Sequence, residues 1–564
     1  MKRRVKWIKQ QKKGKSYSQP WIGYSYRNKN GVSDFKRELS LKGFNQKEVD
    51  AIDFVLRSGG DISTVTKGNV EFLDSLDIGG YWTAHCIAED LGILKEISQF
   101  KEKDQHCILA MILDRIIQPL PHSKLSLWES LPGSPLERVV APGGMNIALH
   151  DIYKSLEKLY GKQKEIQQAL YVNRESVDNM YLYDITSSYF EGDNCELAEF
   201  GYNRDGKKGK KQIVIGLLTN SDGRPLAIEV FDGNTSDQAT VMDKIDDMRE
   251  DFGINEMIFI GDRGMVTRAR REDLQGKEYE SVKYISALKR KEFFDFLEDQ
   301  THPLQPTLFD RKKLVEVSYD GIRYVLSFNP EKEIEDRDLR QKLIKKTQEK
   351  LEMIQRNVIN GRLKKEQVIG KKLYRWLNNW NMERFFTTNY QEGEFSFSKK
   401  EEKIKEYEAI DGFYVITSDV IEETLDTKEL RERYKSLIQV EQAFRTMKTT
   451  DLFMRPIRHW NPERVKGHIF LCMLAYLIIW KARCLFTEFI SSQPVDEETT
   501  QDECHSLRTL WEGLNKDVKI GKIKNNGKIE EQIKPIQQKT KNILKVANAT
   551  LTKKRQRQLM ICGV

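Results

Sequence analysis

Cysteine is scarce in this sequence and badly placed for structural chemistry. The seven thiols, Cys86, Cys107, Cys195, Cys472, Cys484, Cys504 and Cys562, are odd in number and include no Cys-x-x-Cys pair. This argues against a disulfide framework and a zinc ribbon, and fits a reducing cytoplasm. Where histidine adjoins cysteine, at 85–86, 106–107 and 504–505, the two side chains diverge on a helix or strand and make poor common ligands. Long hydrophobic runs are also missing. The longest, Ile469 to Trp480, is closed by His468 and Lys481. It falls short of the roughly 20 residues that span a bilayer, so it reads as a buried helix. The basic N-terminus has no apolar stretch behind it, so neither a signal peptide nor export is expected. The phosphate loop GxxxxGK[ST] does not occur, which disfavours a nucleotide-driven motor and a nucleotide cofactor.

What is present is enough apolar material for real cores, 39% hydrophobic and 10% aromatic in 564 residues, too long for one compact domain and suggesting three or four. Lys and Arg number 93 against 85 Asp and Glu, a formal charge of +8 that hints only mildly at a polyanionic partner. Its distribution says more. Eight of the first fifteen residues are Lys or Arg, and further basic knots lie at Arg204 to Lys211 and Lys553 to Arg557. Such clusters bind phosphates by releasing counterions, although any one of them also reads as a solvated loop or tail.

Texture divides the chain into five parts. Residues 1–175 read as mostly helical, with Val49, Ile52, Phe54 and Val55, and then Ile108, Leu109, Ile112, Leu113, Ile116 and Ile117, at helix spacing. Residues 176–289 carry short β-type runs, Tyr181 to Phe190, Gln212 to Thr219, Pro225 to Phe231, Met257 to Gly261 and Val282 to Leu288, with a helix from Asp237 to Phe252: a mixed α/β sheet. Residues 290–408 are highly charged, with a β-like piece at Leu314 to Phe328 and a helix from about Asp336 to Val358. They read as an insertion, because β texture resumes at Gly412 to Thr417. Residues 409–486 complete the core with helices, and 487–564 form a basic C-terminal region suited to dimerisation.

Three acids stand out. Asp184 interrupts an apolar and aromatic strand, where a divalent metal is the natural compensation for a half-buried charge; a strand-end Asp facing water is the plainer alternative. Asp262 follows the strand Met257 to Gly261, where a strand emerging into its loop gathers ligand groups; a turn-forming Asp beside Gly is the alternative there. Glu441 lies between Tyr434 and Lys448, each seven residues away, so that the three share one face of a helix. Leu437, Val440, Phe444 and Met447 form an adjacent apolar stripe to fasten that helix to a core.

The segment Asp184 to Gly192 (Asp-Ile-Thr-Ser-Ser-Tyr-Phe-Glu-Gly), Gly233 to Asp237, Gly261 to Met265 and the Tyr/Glu/Lys helix together resemble the DDE-class insertion-sequence transposases of the cut-and-paste group that has a β-rich insertion domain. The resemblance runs from about Tyr181 to Leu474. It implies a ribonuclease-H-like α/β core split by the insertion, and a metal site made by Asp184, Asp262 and Glu441. Two Mg²⁺ ions, replaceable by Mn²⁺, are implied as cofactors, with Asp184 bridging them. Tyr434 and Lys448 match DNA-phosphate contacts. The family's usual Arg in this helix is Leu437 here, with Lys435 or Arg445 as substitutes. Double-stranded DNA, as transposon ends and target, is the implied partner, held by a homodimer.

The basic cluster Arg204, Lys207, Lys208, Lys210 and Lys211 falls between the first two expected strands, where it could track a DNA backbone beside the metals. Trp376, Trp380, Phe385 and Phe386 read as core. Two rival readings remain, a ribonuclease-H-like nuclease or resolvase without strand transfer and a catalytically inactive DNA-binding descendant.

Overall fold

The computed structural model describes residues 4–560 apart from 13–14, 28–32, 45–47, 50–51, 54–55, 57–69, 174–178, 193, 203, 208, 237–238, 264, 299–300, 305–309, 312, 379–380, 492–506, 526–527 and 535. The chain opens in strands where helices are expected. β1 (Arg4–Lys12), β2 (Lys15–Arg27) and β3 (Ser33–Ser40) form an antiparallel sheet. Val5 and Ile22 face inward, while Arg4 and Lys6 face solvent. The dense basic text hides this period-two alternation. Val49, Ile52 and Leu56, helical and buried, close the small core beneath it; Phe54 and Val55 lie outside the described residues.

β4 (Val70–Asp77) precedes the helical layer, whose principal members are α1 (Gly79–Asp90), α2 (Glu102–Ile117), α3 (Leu149–Gly161) and α4 (Gln163–Val172). The six apolar residues singled out in α2 are all buried.

β5 (Met180–Tyr189), β6 (Gln212–Asn220) and β7 (Pro225–Phe231) follow as an antiparallel meander, then α5 (Ala239–Phe252), β8 (Met257–Gly261) and β9 (Val282–Ala287). β8 runs parallel to both β5 and β9. The spatial order β7-β6-β5-β8-β9, with this pattern of directions, is the ribonuclease-H-like arrangement. Alternate residues feed two cores: Leu182, Ile258 and Ile260 on one face, Tyr181, Tyr183 and Phe259 on the other.

The sheet does not stop at β9. β10 (Val315–Tyr319) and β11 (Ile322–Phe328), which fall within the segment read as an insertion, join it through β14 (Phe413–Ser418), giving eight strands in the order β10-β11-β14-β9-β8-β5-β6-β7. Asp320 and Gly321, both at positive φ, turn this hairpin, as a two-residue Asp-Gly loop favours. Between β11 and β14 lie α6 (Pro330–Ile359), α7 (Glu366–Asn378) and the hairpin of β12 (Phe386–Gln391) and β13 (Glu394–Lys399). α6 starts earlier than the Lys/Glu-rich text suggests, because Asn329 caps it, accepting from the Glu331 N–H at 3.0 Å, and Pro330 occupies its first turn. Phe385 and Phe386 are core residues; Trp380 lies outside the described residues.

After β14 come α8 (Thr427–Lys435), α9 (Ile438–Arg445) and α10 (Pro462–Ser491). By length and composition α10 is apolar enough to cross a bilayer, but it is packed against α2, α3 and β7 as a core helix. Even the polar ends of its apolar run, His468 and Lys481, are buried. Gly467 lets it approach α3 closely: a Cβ there would stand 2.1 Å from the Leu156 carbonyl oxygen.

The described parts of the basic tail form regular elements. α11 (Leu507–Asp517), β15 (Lys519–Asn525), β16 (Lys528–Ile533) and α12 (Gln538–Val546) return to the start of the chain. β15 pairs with β4, and Trp82 Nε1 of α1 donates to the Ala549 carbonyl at 2.8 Å.

Candidate active site

The parallel pairing of β5 with β8 brings the first two acids together. Tyr183 is in register with Gly261, so Asp184, the next residue of β5, and Asp262, the first residue after β8, are neighbours at the edge of that pairing. β8 ends at Gly261, and the chain turns at once, the Met265 N–H donating to the Asp262 carbonyl at 2.9 Å. Asp262 is therefore an exposed acid at the carboxyl end of a parallel strand, where open sheets place ligand groups. Asp184 is half-buried, one carboxylate oxygen accepting from the Ile185 N–H at 2.7 Å. Burial above all pushes its pKa up to about 7, with the charges of Asp262 and Glu441 adding and the Ile185 N–H and Arg204 opposing.

Glu441 reaches the same place from α9, which packs over β5 and β6. Its pKa is raised by burial and by the Asp262 charge, against the pull of Arg445. The stripe Leu437, Val440, Phe444 and Met447 is buried throughout. The unbroken helix implied by the seven-residue spacing is not what forms. α8 stops at Lys435, and the chain tightens through Ser436 and Leu437 before α9. The Ser436 hydroxyl donates to the Arg433 carbonyl at 2.6 Å, and the N–H groups of Leu437, Gln439 and Val440 bond three residues back. After Arg445 the backbone widens into a π-helical turn, Thr446–Thr450, which carries Lys448. Leu437, at the usual Arg position, is a core residue of this kink.

Tyr434 keeps its place beside the acids despite the break. Burial raises its phenol pKa, as do the Asp262 and Glu441 charges, while Arg263 opposes them. Its ring lies 6.1 Å from that of Tyr414. The three acids thus share one electrostatic neighbourhood, although among the described residues no three ligating side chains are gathered closely enough to cage an ion.

Lys448 is buried, and its ammonium is held by Thr186 Oγ1 at 2.6 Å, the Ser187 carbonyl at 2.5 Å and Asp205 at 3.2 Å. Burial lowers its pKa and Asp205 works against that. Asp205 also takes the Tyr189 N–H at 3.1 Å and the Arg455 guanidinium at 2.5 Å. With the Arg204 N–H on Ser187 Oγ at 3.0 Å, this folds the basic loop back along β5. Sequence reading passes over Asp205 because it sits inside a knot of cations; a lone acid in such a knot was the available signal. Arg204 sends its charge toward Asp184 and Lys448. Lys207 lies 5.8 Å from the Tyr189 ring centre and Lys210 pairs with Glu191 at 3.0 Å. Lys211 is partly exposed at the start of β6, and Arg445 is exposed on α9. Lys208, Asp237 and Gly264 lie outside the described residues.

Residues 182–478 match the family described as the transposase DDE domain, a span containing Asp184, Asp262, Glu441, Tyr434 and Lys448. No curated protein matches at a significant level. Among solved structures, a piggyBac transposase synaptic complex with hairpin DNA aligns over 74% of this chain and 71% of its own, at a TM-score of 0.37 and 8% identity; so distant a likeness carries no argument. The family match spans more than half of the sequence and encloses the strands, the helices and all three acids of the site, so the chain belongs to the transposase DDE domain family, whose members are enzymes of DNA transposition.

Proposed function

We propose that this transposase binds the terminal inverted repeats of a mobile element, cleaves the DNA ends by metal-assisted hydrolysis, and joins the freed 3′-OH ends to target DNA. The observation that carries the reading is the convergence of Asp184, Asp262 and Glu441: two acids adjacent across the sheet and a third on a helix packed over them, close enough that Asp262 and Glu441 add to the proton affinity of Asp184 and Asp262 adds to that of Glu441. Acids gathered so that their charges reinforce one another suit hard divalent metal ions, which the family generally uses. Two Mg²⁺ ions, or Mn²⁺ in their place, held by these carboxylates would activate the nucleophile and stabilise the pentacovalent phosphate and the leaving oxygen.

The chain's own residues do the positioning. Arg204, whose charge reaches Asp184, would hold the DNA backbone with Lys207, Lys208, Lys210 and Lys211 of the same basic sequence, and Arg445 and Tyr434 would add contacts from the helices that carry Glu441. Lys448, engaged with Thr186 and Asp205, fixes that loop against β5 and stands where a phosphate oxygen could join its ligands. Residues 1–175 are assigned to reading the element's ends, and a homodimer would hold two ends together. No nucleotide takes part.

The test is a gel assay on end-containing duplex DNA with Mg²⁺. Strand-transfer products are expected from the wild type and none from Asp184→Asn. Cleavage without joining would replace this reading with a nuclease or resolvase, and binding without nicking would replace it with an inactive DNA-binding descendant.

A further inference from the structure

A second concentration of like charge lies apart from the three acids, where the loop 453–460 meets the helical layer. It is a cavity of about 430 Å³. Arg115 of α2, Lys124, Arg458 and Arg464 line it together with the imidazoles of His459 and His468, and no Asp or Glu does. Lys124 is 8% exposed and Arg115 7%. Among the described residues no carboxylate is hydrogen-bonded to either; the Arg115 guanidinium is satisfied by the carbonyls of Leu452 and Phe453. The nearest acid, Asp114, is spent on His122 at 2.6 Å. Arg464 is steadied by Glu157 at 2.6 Å, its guanidinium 5.3 Å from the Tyr153 ring centre and 5.8 Å from that of Trp460.

Among the described residues no carboxylate pairs with Lys124 or Arg115. A buried ammonium beside a buried guanidinium is costly without a counter-ion. His468 adds an independent sign. It is 5% exposed, its Nε2 faces the Met454 carbonyl at 3.2 Å, and its Nδ1 has no partner among the described residues. A buried polar atom left unmatched in a polar cavity implies something that fills it.

We propose that this cavity binds a phosphate-type oxyanion. Lys124 supplies a point charge and Arg464 a planar donor held near two rings, while His468, whose Nε2–H is given to the Met454 carbonyl, offers Nδ1 as an acceptor for a P–OH or a bound water, the groups converging on one volume from different elements. Several charge-assisted donors around one volume suit an anion with oxygens on more than one side. Burial, with Arg115 beside it, drives the Lys124 pKa down to about 7, and a bound anion would restore its charge. Arg458 and Trp460 are exposed at the mouth, so the phosphate can arrive on a DNA backbone or as a free ion. The site shares no residue with the three acids, and its test does not depend on their assignment.

The experiment uses the full chain and two probes, inorganic phosphate and a short duplex of arbitrary sequence. Melting temperature is followed in phosphate against chloride at equal ionic strength, and duplex affinity by fluorescence anisotropy across a salt series. The variants are Lys124→Met and, at the exposed mouth where folding is not at risk, Arg458→Ala. A DNA phosphate is the ligand if the variants weaken duplex binding and flatten its logarithmic salt slope by about one. A free anion is the ligand if phosphate raises the wild-type melting temperature, the variants lose that gain, and duplex binding is unchanged. Equal melting in phosphate and chloride, with Arg458→Ala matching the wild type in duplex affinity and salt slope, overturns the proposal whether or not Lys124→Met folds.

Discussion

Asp184 and Thr186 lie on the same face of β5, two residues apart, and the charged groups around them are arranged in opposite ways. At Thr186 opposite charges meet: Lys448 and Arg455 converge on Asp205, and the arrangement ties the β5–β6 loop to the π-helical turn. At Asp184 acids meet acids, and burial, with their charges adding, leaves a carboxyl whose pKa stands near neutrality. A cluster in which opposite charges bond one another is part of the framework; one in which like charges gather is unfinished until a ligand arrives. The cationic cavity at Lys124 is the same kind of site with the sign reversed.

The comparison can be broken most decisively at the acids. Asp184→Asn should lower cleavage by on the order of a thousandfold or more, since metal-assisted charge stabilisation is worth several kcal/mol and each 1.36 is tenfold. The variant should melt no lower than the wild type without metal, because it removes a like-charge repulsion. A marked loss of stability would show that Asp184 belongs to the framework after all.

Asp205→Ala should do the reverse, costing about 3 kcal/mol of stability because it strands Lys448 and Arg455 without their acid. Denaturant titration reads this directly. A neutral result would make Asp205 a bystander and leave the loop's placement unexplained.

The third way is pH. The folded-state pKa of Asp184 is raised to about 7 from an ordinary 3.8, so its contribution to stability is full below about 3.8 and is lost as pH rises through about 7. Mg²⁺ should therefore raise the melting temperature of the wild type more at pH 8 than at pH 5, and Asp184→Asn should flatten that difference. An Mg²⁺ shift independent of pH would separate metal binding from this carboxylate.

The smallest effect is expected in the exposed loop. Lys207→Ala and Lys210→Ala should each weaken duplex binding a few-fold and flatten the logarithmic salt slope by about one, leaving stability unchanged. No change in slope would remove the loop from the DNA path.

The three acids of the candidate site stand out in the sequence because their signals are local. An acid set in an apolar strand, an acid at a strand's end and an acid beside an apolar stripe are all patterns within a dozen residues, and the family resemblance rested on the same short segments. The kink at Ser436 was not legible, since it depends on a hydroxyl choosing the Arg433 carbonyl over solvent. Nor was the role of Asp205, whose partners Lys448 and Arg455 are about 250 positions away. β1 escaped notice because the basic residues that crowd the start of the chain drown its alternation.

Sequence alone determined the strands and the helix that carry the acids, because hydrophobic periodicity and turn residues act over a few neighbouring positions. Tertiary structure decided which strand lies beside which: that β8 pairs in parallel with β5 and so sets Asp262 next to Asp184, that β10 and β11 extend the same sheet, and that the C-terminal segment closes on β4 and α1. Strand partners are chosen by the burial of whole faces and by loop closures over hundreds of residues, and no local pattern records that choice.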